Sequence, residues 1–132
     1  MSESELVQVI RGAYGAYSRG EVDAVLDLLH PDVEWHPPPS SLEPHPLRGR
    51  DAAREYLAPN FFESQMAEPL EVLEEGDRIL VVARVQARGR ESGVEIDQTA
   101  FHLWTVADGR AVRFQAYVDR DEALAAFRAS GG

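Results

Sequence analysis

Ile96 to Asp119, IDQTAFHLWTVADGRAVRFQAYVD, is the longest run of β-branched and aromatic residues in the chain. No other stretch constrains the fold as much. It is interrupted once, at Ala107-Asp108-Gly109-Arg110. Asp-Gly tolerates positive φ at both central positions of a tight turn, so the break predicts a β-hairpin. Arms of about 10 residues would be ~33 Å long. A hairpin of that length is not stable alone in water and needs cover on at least one face.

The helical segments supply the cover. Ser2 to Arg19 reads as a first helix, N-capped by Ser2 or Ser4 and closed by Gly20. Leu6, Val9, Ile10, Ala13, Ala16 and Tyr17 form its apolar stripe. Glu21 to Leu29 is a second helix, ended by His30-Pro31-Asp32. Val33 to His36 is a short strand, stopped by three prolines. Residues 40–48 read as a loop, and Asp51 N-caps a third helix that ends at Pro59. Phe61, Phe62 and Met66 continue an apolar, helical stretch. Strands follow at Leu70 to Glu75 and Arg78 to Gly89, then the hairpin, then a helix from Asp121 to Ala129. No repeat or linker divides the chain, so residues 1–132 are expected to form one domain. Helices segregated from an antiparallel sheet predict an α+β domain. A cone-shaped curved antiparallel sheet wrapped around the N-terminal helices leaves a pocket at its wide end.

Composition narrows the function. The net charge is −10, from 13 basic and 23 acidic residues. Nucleic-acid binding needs clustered cations and is not expected. Every basic residue is arginine, so Schiff-base lysine chemistry is excluded, and the absence of cysteine excludes disulfides and thiolate chemistry. No apolar run approaches ~18 residues, so no membrane span is expected. The acidic start MSESELVQV lacks the features of a signal peptide, and the cytoplasm is the expected location.

Four words carry a family resemblance: Gly20-Glu21-Val22-Asp23-Ala24-Val25, Pro31-Asp32-Val33-Glu34-Trp35, Arg48-Gly49-Arg50-Asp51-Ala52-Ala53-Arg54-Glu55-Tyr56-Leu57, and Ala107-Asp108-Gly109-Arg110-Ala111-Val112 through Tyr117-Val118-Asp119-Arg120. In this order the chain resembles the nuclear-transport-factor-2-like superfamily, in its SnoaL-like and ketosteroid isomerase-like branch. The resemblance implies a cystatin-like or ketosteroid isomerase-like α+β barrel, a buried pocket for a small hydrophobic ligand, and a homodimer packed through the outer sheet face. It does not imply one reaction, because this fold hosts isomerases, cyclases, dehydratases, epoxide hydrolases and non-enzymes. The family's acid positions map onto Trp35-His36-Pro37, Phe101 and Ala116, and none is a carboxylate. Its oxyanion tyrosine maps onto Ala13, beside Tyr14 and one turn before Tyr17.

The remaining candidates come from strand alternation. If Phe101 faces the pocket, Asp97 and Thr99 face it too, and Asp97 is a candidate general base. His36, at the expected rim, is the second acid–base candidate. His102 then points away from the pocket. Tyr17, Trp35, Tyr56, Phe61, Thr99, Phe101, Phe114, Ala116 and Val118 are the expected ligand-binding residues. Arg113, Gln115 and Tyr117 share the outer face expected at the dimer contact. The histidines lack metal-ligand spacing, so no metal or other cofactor is expected. The functional expectation is a small-molecule-binding protein, an isomerase or cyclase acting on a hydrophobic carbonyl compound by acid–base chemistry. A non-catalytic binder and a ligand-free dimerisation module are the alternatives.

Overall fold

In the computed structural model, residues 4–37, 46–57 and 62–129 are described. Ser4 N-caps helix α1 (Glu5–Ser18), its hydroxyl accepting from Val7 N–H at 3.1 Å. Helix α2 (Val22–Leu28) runs directly into strand β1 (Leu29–His36). A two-residue strand β2 (Leu47–Arg48) precedes helix α3 (Arg50–Leu57). Strands β3 (Phe62–Glu75), β4 (Arg78–Gly89), β5 (Glu95–Ala107) and β6 (Arg110–Tyr117) follow, then helix α4 (Arg120–Ala129).

The strands form one curved sheet in the order β2-β1-β6-β5-β4-β3. Among the described residues its two ends do not pair with each other, so the sheet is open. The fold is α+β, as the element order predicts, with a difference in pairing. Strand β1 lies parallel to β6, with Trp35 opposite Phe114, so the sheet is mixed rather than wholly antiparallel. Pairing with β2 is antiparallel, Glu34 opposite Arg48. The start of β3 also differs from expectation. Met66 opposes Gln86 and Gln65 opposes Ala87 in a ladder that continues to the turn at Gly76-Asp77. An apolar spacing that fits a helix is overridden there by a full-length partner strand.

The loop before α3 shows why its sequence takes the form Arg-Gly-Arg-Asp. Gly49 adopts φ 93°, a conformation that disfavours a side chain, and its N–H donates to Val33 O at 2.8 Å. Arg50 then reaches back to the Leu29 carbonyl with Nε and Nη2, at 2.8 and 2.6 Å. The beginning and the middle of β1 are thereby tied to the start of α3.

Helix α1 packs on the inner face of the sheet. It buries Val7, Ile10, Ala13, Tyr14 and Ala16, while Val9 is 52% exposed. The buried stripe is therefore rotated from the expected one, toward Val7 and Tyr14. Two hydrogen bonds at its C-terminal end set this rotation against β3. Tyr17 Oη donates to Gln65 Oε1 at 2.9 Å, and Ser18 Oγ accepts from Ala67 N–H at 3.1 Å. Helix α4 covers part of the outer face, where Ala123 and Phe127 pack with Leu80, Val82, Phe101 and Leu103. The buried Arg78 donates to the Phe127 carbonyl at 3.1 Å, placing a cation at the negative end of α4.

The β5–β6 hairpin turns at Asp108 and Gly109, with φ of 53° and 78°. Next to the turn, Ala107 opposes Arg110 and Val106 opposes Ala111. One step on, Thr105 opposes Arg113, so β6 carries one extra residue, Val112. A β-bulge of this kind shifts everything beyond it by one position. Trp104 therefore opposes Phe114, and His102 opposes Ala116. With a regular ladder Phe101 would have opposed Ala116.

Ile79 lies on the inner face and is fully buried. Ile79→Ala is expected to lower the unfolding free energy by roughly 2–5 kcal/mol, read as a lower urea midpoint with an unchanged slope.

Candidate functional site

The inner face of the curved sheet and helices α1, α2 and α3 line a cavity of about 180 Å³. Phe114 stands at the centre of its aromatic wall. Trp35 stacks on it with centroids 4.1 Å apart, and Trp104 meets it edge-on at 4.8 Å. Tyr56 tilts against Trp35 at 5.7 Å. Ala100 and Ala116 line the cavity from the sheet, and their small side chains leave the space that the rings do not fill.

A chain of polar groups borders this wall. Trp104 Nε1–H donates to Tyr14 Oη at 3.1 Å, and Tyr14 Oη lies 2.7 Å from His102 Nδ1. The Tyr14 and His102 rings stack at 5.8 Å, and His102 packs against Phe114 at 5.1 Å. Burial raises the Tyr14 pKa, and the Trp104 hydrogen bond offsets only part of that effect. Burial also lowers the His102 pKa to about 4, so the imidazole is neutral near pH 7. Tyr17 is pushed up to about 12, first by burial and then by neighbouring Tyr56. Trp35 contributes a buried indole N–H that has no hydrogen-bond acceptor among the described residues. Among the described residues no carboxylate lines the cavity, and no cluster of three or more histidines or carboxylates is placed to hold a metal.

The structure brings Tyr17, Trp35, Tyr56, Phe114, Ala116 and Val118 to this cavity, with Val118 exposed at its edge. It does not bring Asp97, Thr99 or Phe101 there. The Val112 bulge turns that set outward: Phe101 packs in the cluster under α4, and Thr99 is exposed. Asp97 is exposed too, in a two-point pair with Arg84 at 3.0 and 2.7 Å. The Arg84 hydrogen bond holds its carboxyl below the usual range, opposite to the direction that favours a general base. His36 lines a neighbouring depression with Gln115, Tyr117 and Glu122 rather than the cavity. Its Nε2 is 3.8 Å from Glu34, too far for a hydrogen bond. Phe61 lies outside the described residues.

A model of the SnoaL-like domain matches residues 10–114. The chain belongs to the SnoaL-like family. Among solved structures it is similar to a nuclear-transport-factor-2-like protein of unknown function from Burkholderia pseudomallei K96243, with 27% identity and a TM-score of 0.77 over 96% of this chain and 99% of that one. It is similar to TerC, co-crystallised with polyporic acid, with 26% identity and a TM-score of 0.77 over 94% and 98% of the two chains. A proposed SnoaL-like polyketide cyclase from Jannaschia sp. CCS1 shares the fold at 19% identity and a TM-score of 0.73, over 98% of each chain. No curated protein matches the chain. No helix among the described residues is long and apolar enough to cross a membrane.

In this SnoaL-like domain the polar centre is therefore Tyr14, His102 and Trp104, not Asp97 and His36. Strand parity counted from Phe101 turns His102 outward, and the bulge reverses it. A polar signal was nevertheless present. Tyr14 and His102 are hydrogen-bonding groups in the middle of otherwise apolar elements, and such groups are held by partners when buried.

The buried neutral histidine has a consequence for stability. Its pKa is about 4 when folded, against an ordinary 6.5, so the unfolded chain binds more protons between those values. Stability from this group is full above about pH 6.5 and is lost as pH falls toward 4, a loss on the order of 3 kcal/mol. Urea midpoints at pH 7 and pH 5 are expected to differ less in His102→Gln than in the parent chain. Asp97→Asn, on the outer face, is expected to leave that pH difference as large as in the parent chain, because the Asp97 carboxyl is held below its usual range by Arg84.

Proposed function

We propose that this SnoaL-like domain binds a small, flat, mostly apolar molecule in the aromatic cavity. The observation that carries the reading is the wall of Trp35, Tyr56, Trp104 and Phe114, with no carboxylate among its described residues. Ligand sites typically combine such walls with a few placed polar groups. An engineered cavity of ~150 Å³ accommodates benzene. A space of about 180 Å³ suits a ligand of one or two rings. The similarity to TerC, co-crystallised with polyporic acid, supports an aromatic ligand.

Acid–base chemistry on a hydrophobic carbonyl compound, as in an isomerase or cyclase, is the second reading. The Tyr14–His102 hydrogen bond at the cavity supports it. Binding ranks first because a histidine with a pKa of about 4 is a weak base for carbon acids. A homodimer through the outer sheet face belongs to the same reading. Glu34, Arg48 and Arg113 meet there at 3.7 and 4.0 Å, beside Gln115 and Tyr117.

The chain has two tryptophans, and both line the cavity. Saturable binding of small aromatic compounds is therefore expected to change intrinsic fluorescence and to raise the melting temperature together. A panel that moves neither signal sinks the reading. Accelerated deuterium exchange alpha to the carbonyl of a bound ketone would promote the second reading; exchange at the buffer rate removes it. Sedimentation at micromolar concentration is expected to give the dimer mass, and Arg113→Glu to shift it toward monomer.

A further inference from the structure

The chain Trp104–Tyr14–His102 allows the histidine proton to be placed. The Trp104 indole can only donate, and it donates to Tyr14 Oη. Were His102 Nδ1 protonated, Tyr14 Oη would accept two N–H groups. Its own proton would then need a further acceptor in a buried site, at a desolvation cost if none is found. With the phenol O–H donating to Nδ1 across 2.7 Å, all the polar hydrogens of the contact are used. The remaining imidazole proton then sits on Nε2. His102 borders the cavity, packed on Phe114. On the same Phe114 ring lies Trp35, whose buried indole N–H has no acceptor among the described residues.

We propose that His102 acts as a hydrogen-bond donor to the ligand through Nε2–H, held in that tautomer by Tyr14, so that the cavity selects small aromatic molecules carrying a carbonyl or similar oxygen acceptor. This rests on the cavity being a ligand site, as proposed above. Tyr14 is a positioning residue, and Trp104 orients it in turn. A neutral imidazole donor favours negative charge developing on the oxygen it contacts and does not remove a proton from carbon. His102 is thereby assigned a specificity role that does not depend on turnover. Its depressed pKa is consistent with a ring that stays neutral throughout the physiological range.

The test pairs 1-indanone with indane, which share a bicyclic skeleton and differ in the carbonyl oxygen. Their affinities are measured by calorimetry and by thermal shift, and ¹⁵N-histidine NMR reads the ring nitrogens. The parent chain is expected to prefer indanone by about tenfold. His102 is expected to show a protonated Nε2 and a hydrogen-bonded, unprotonated Nδ1. His102→Leu is expected to remove the preference, and His102→Gln, which retains an N–H donor, to recover part of it. Tyr14→Phe should shift the Nδ1 resonance by removing its donor, a signature that loss of packing alone does not produce. Equal affinities for the two compounds would overturn the donor assignment while leaving the cavity reading intact. A protonated Nδ1 in the parent chain would overturn the tautomer. Failure of both compounds to bind would overturn the cavity reading and this inference with it. The comparison of compounds and the protonation states of the two ring nitrogens are both read on the parent chain, so neither depends on a variant that folds.

Discussion

The pairing of Trp104 with Phe114 is the contact on which the interior depends. Strand side chains alternate, so whichever residue of β5 opposes Phe114 determines the facing of its neighbours. Val112, the extra residue in β6, makes that residue Trp104 rather than Leu103. Trp104, His102 and Ala100 then line the cavity, while Leu103 and Phe101 receive α4. A single inserted position thus distributes the two apolar clusters between the two sides of the sheet. The rotation of α1 complements it by placing Tyr14 within reach of both His102 and Trp104.

Much of the architecture can be read from local chemistry. Asp108-Gly109 marks the hairpin because both residues tolerate positive φ, and Gly76-Asp77 marks the turn between β3 and β4. The second helix ends at Leu28, with Pro31 already inside β1 rather than beyond a helix end at Leu29, and Gly49 allows the approach to β1 that positions α3. These signals depend on the backbone freedom of single residues, which a sequence states directly. Trp35, Phe114 and Ala116 were legible as cavity residues for a related reason: they lie on one side of regular alternation.

The polar centre was harder to read. Ala111-Val112-Arg113 contains no glycine or proline, so nothing in its composition marks the bulge. Its placement is settled by packing on both faces at once, by Trp104 against Phe114 and by Leu103 beneath α4. The first helix presents two overlapping apolar stripes, one through Val9 and one through Val7 and Tyr14. Hydrogen bonds from Tyr17 and Ser18 to β3 accompany the choice between them. Those partners lie more than forty residues away (Gln65 and Ala67), beyond the reach of helical periodicity. The start of β3 was misread for the same reason, since Phe62 and Met66 suit a helix until β4 offers a ladder.

The two margins of the open sheet determine how such molecules can meet. Strand β2, at one margin, has two residues and offers little backbone to a newcomer. Strand β3, at the other, is long, but Pro69 lacks a donor and the register slips between Pro69 and Glu71. Glu68, Glu71, Glu74 and Glu75 add repulsion along the same strand in a chain of net charge −10. Among the described residues, the row of free N–H and C=O groups that β3 presents to a neighbouring molecule is therefore interrupted at Pro69. Association is directed to the faces of the sheet, and strand-by-strand growth into fibrous aggregates is discouraged at both ends.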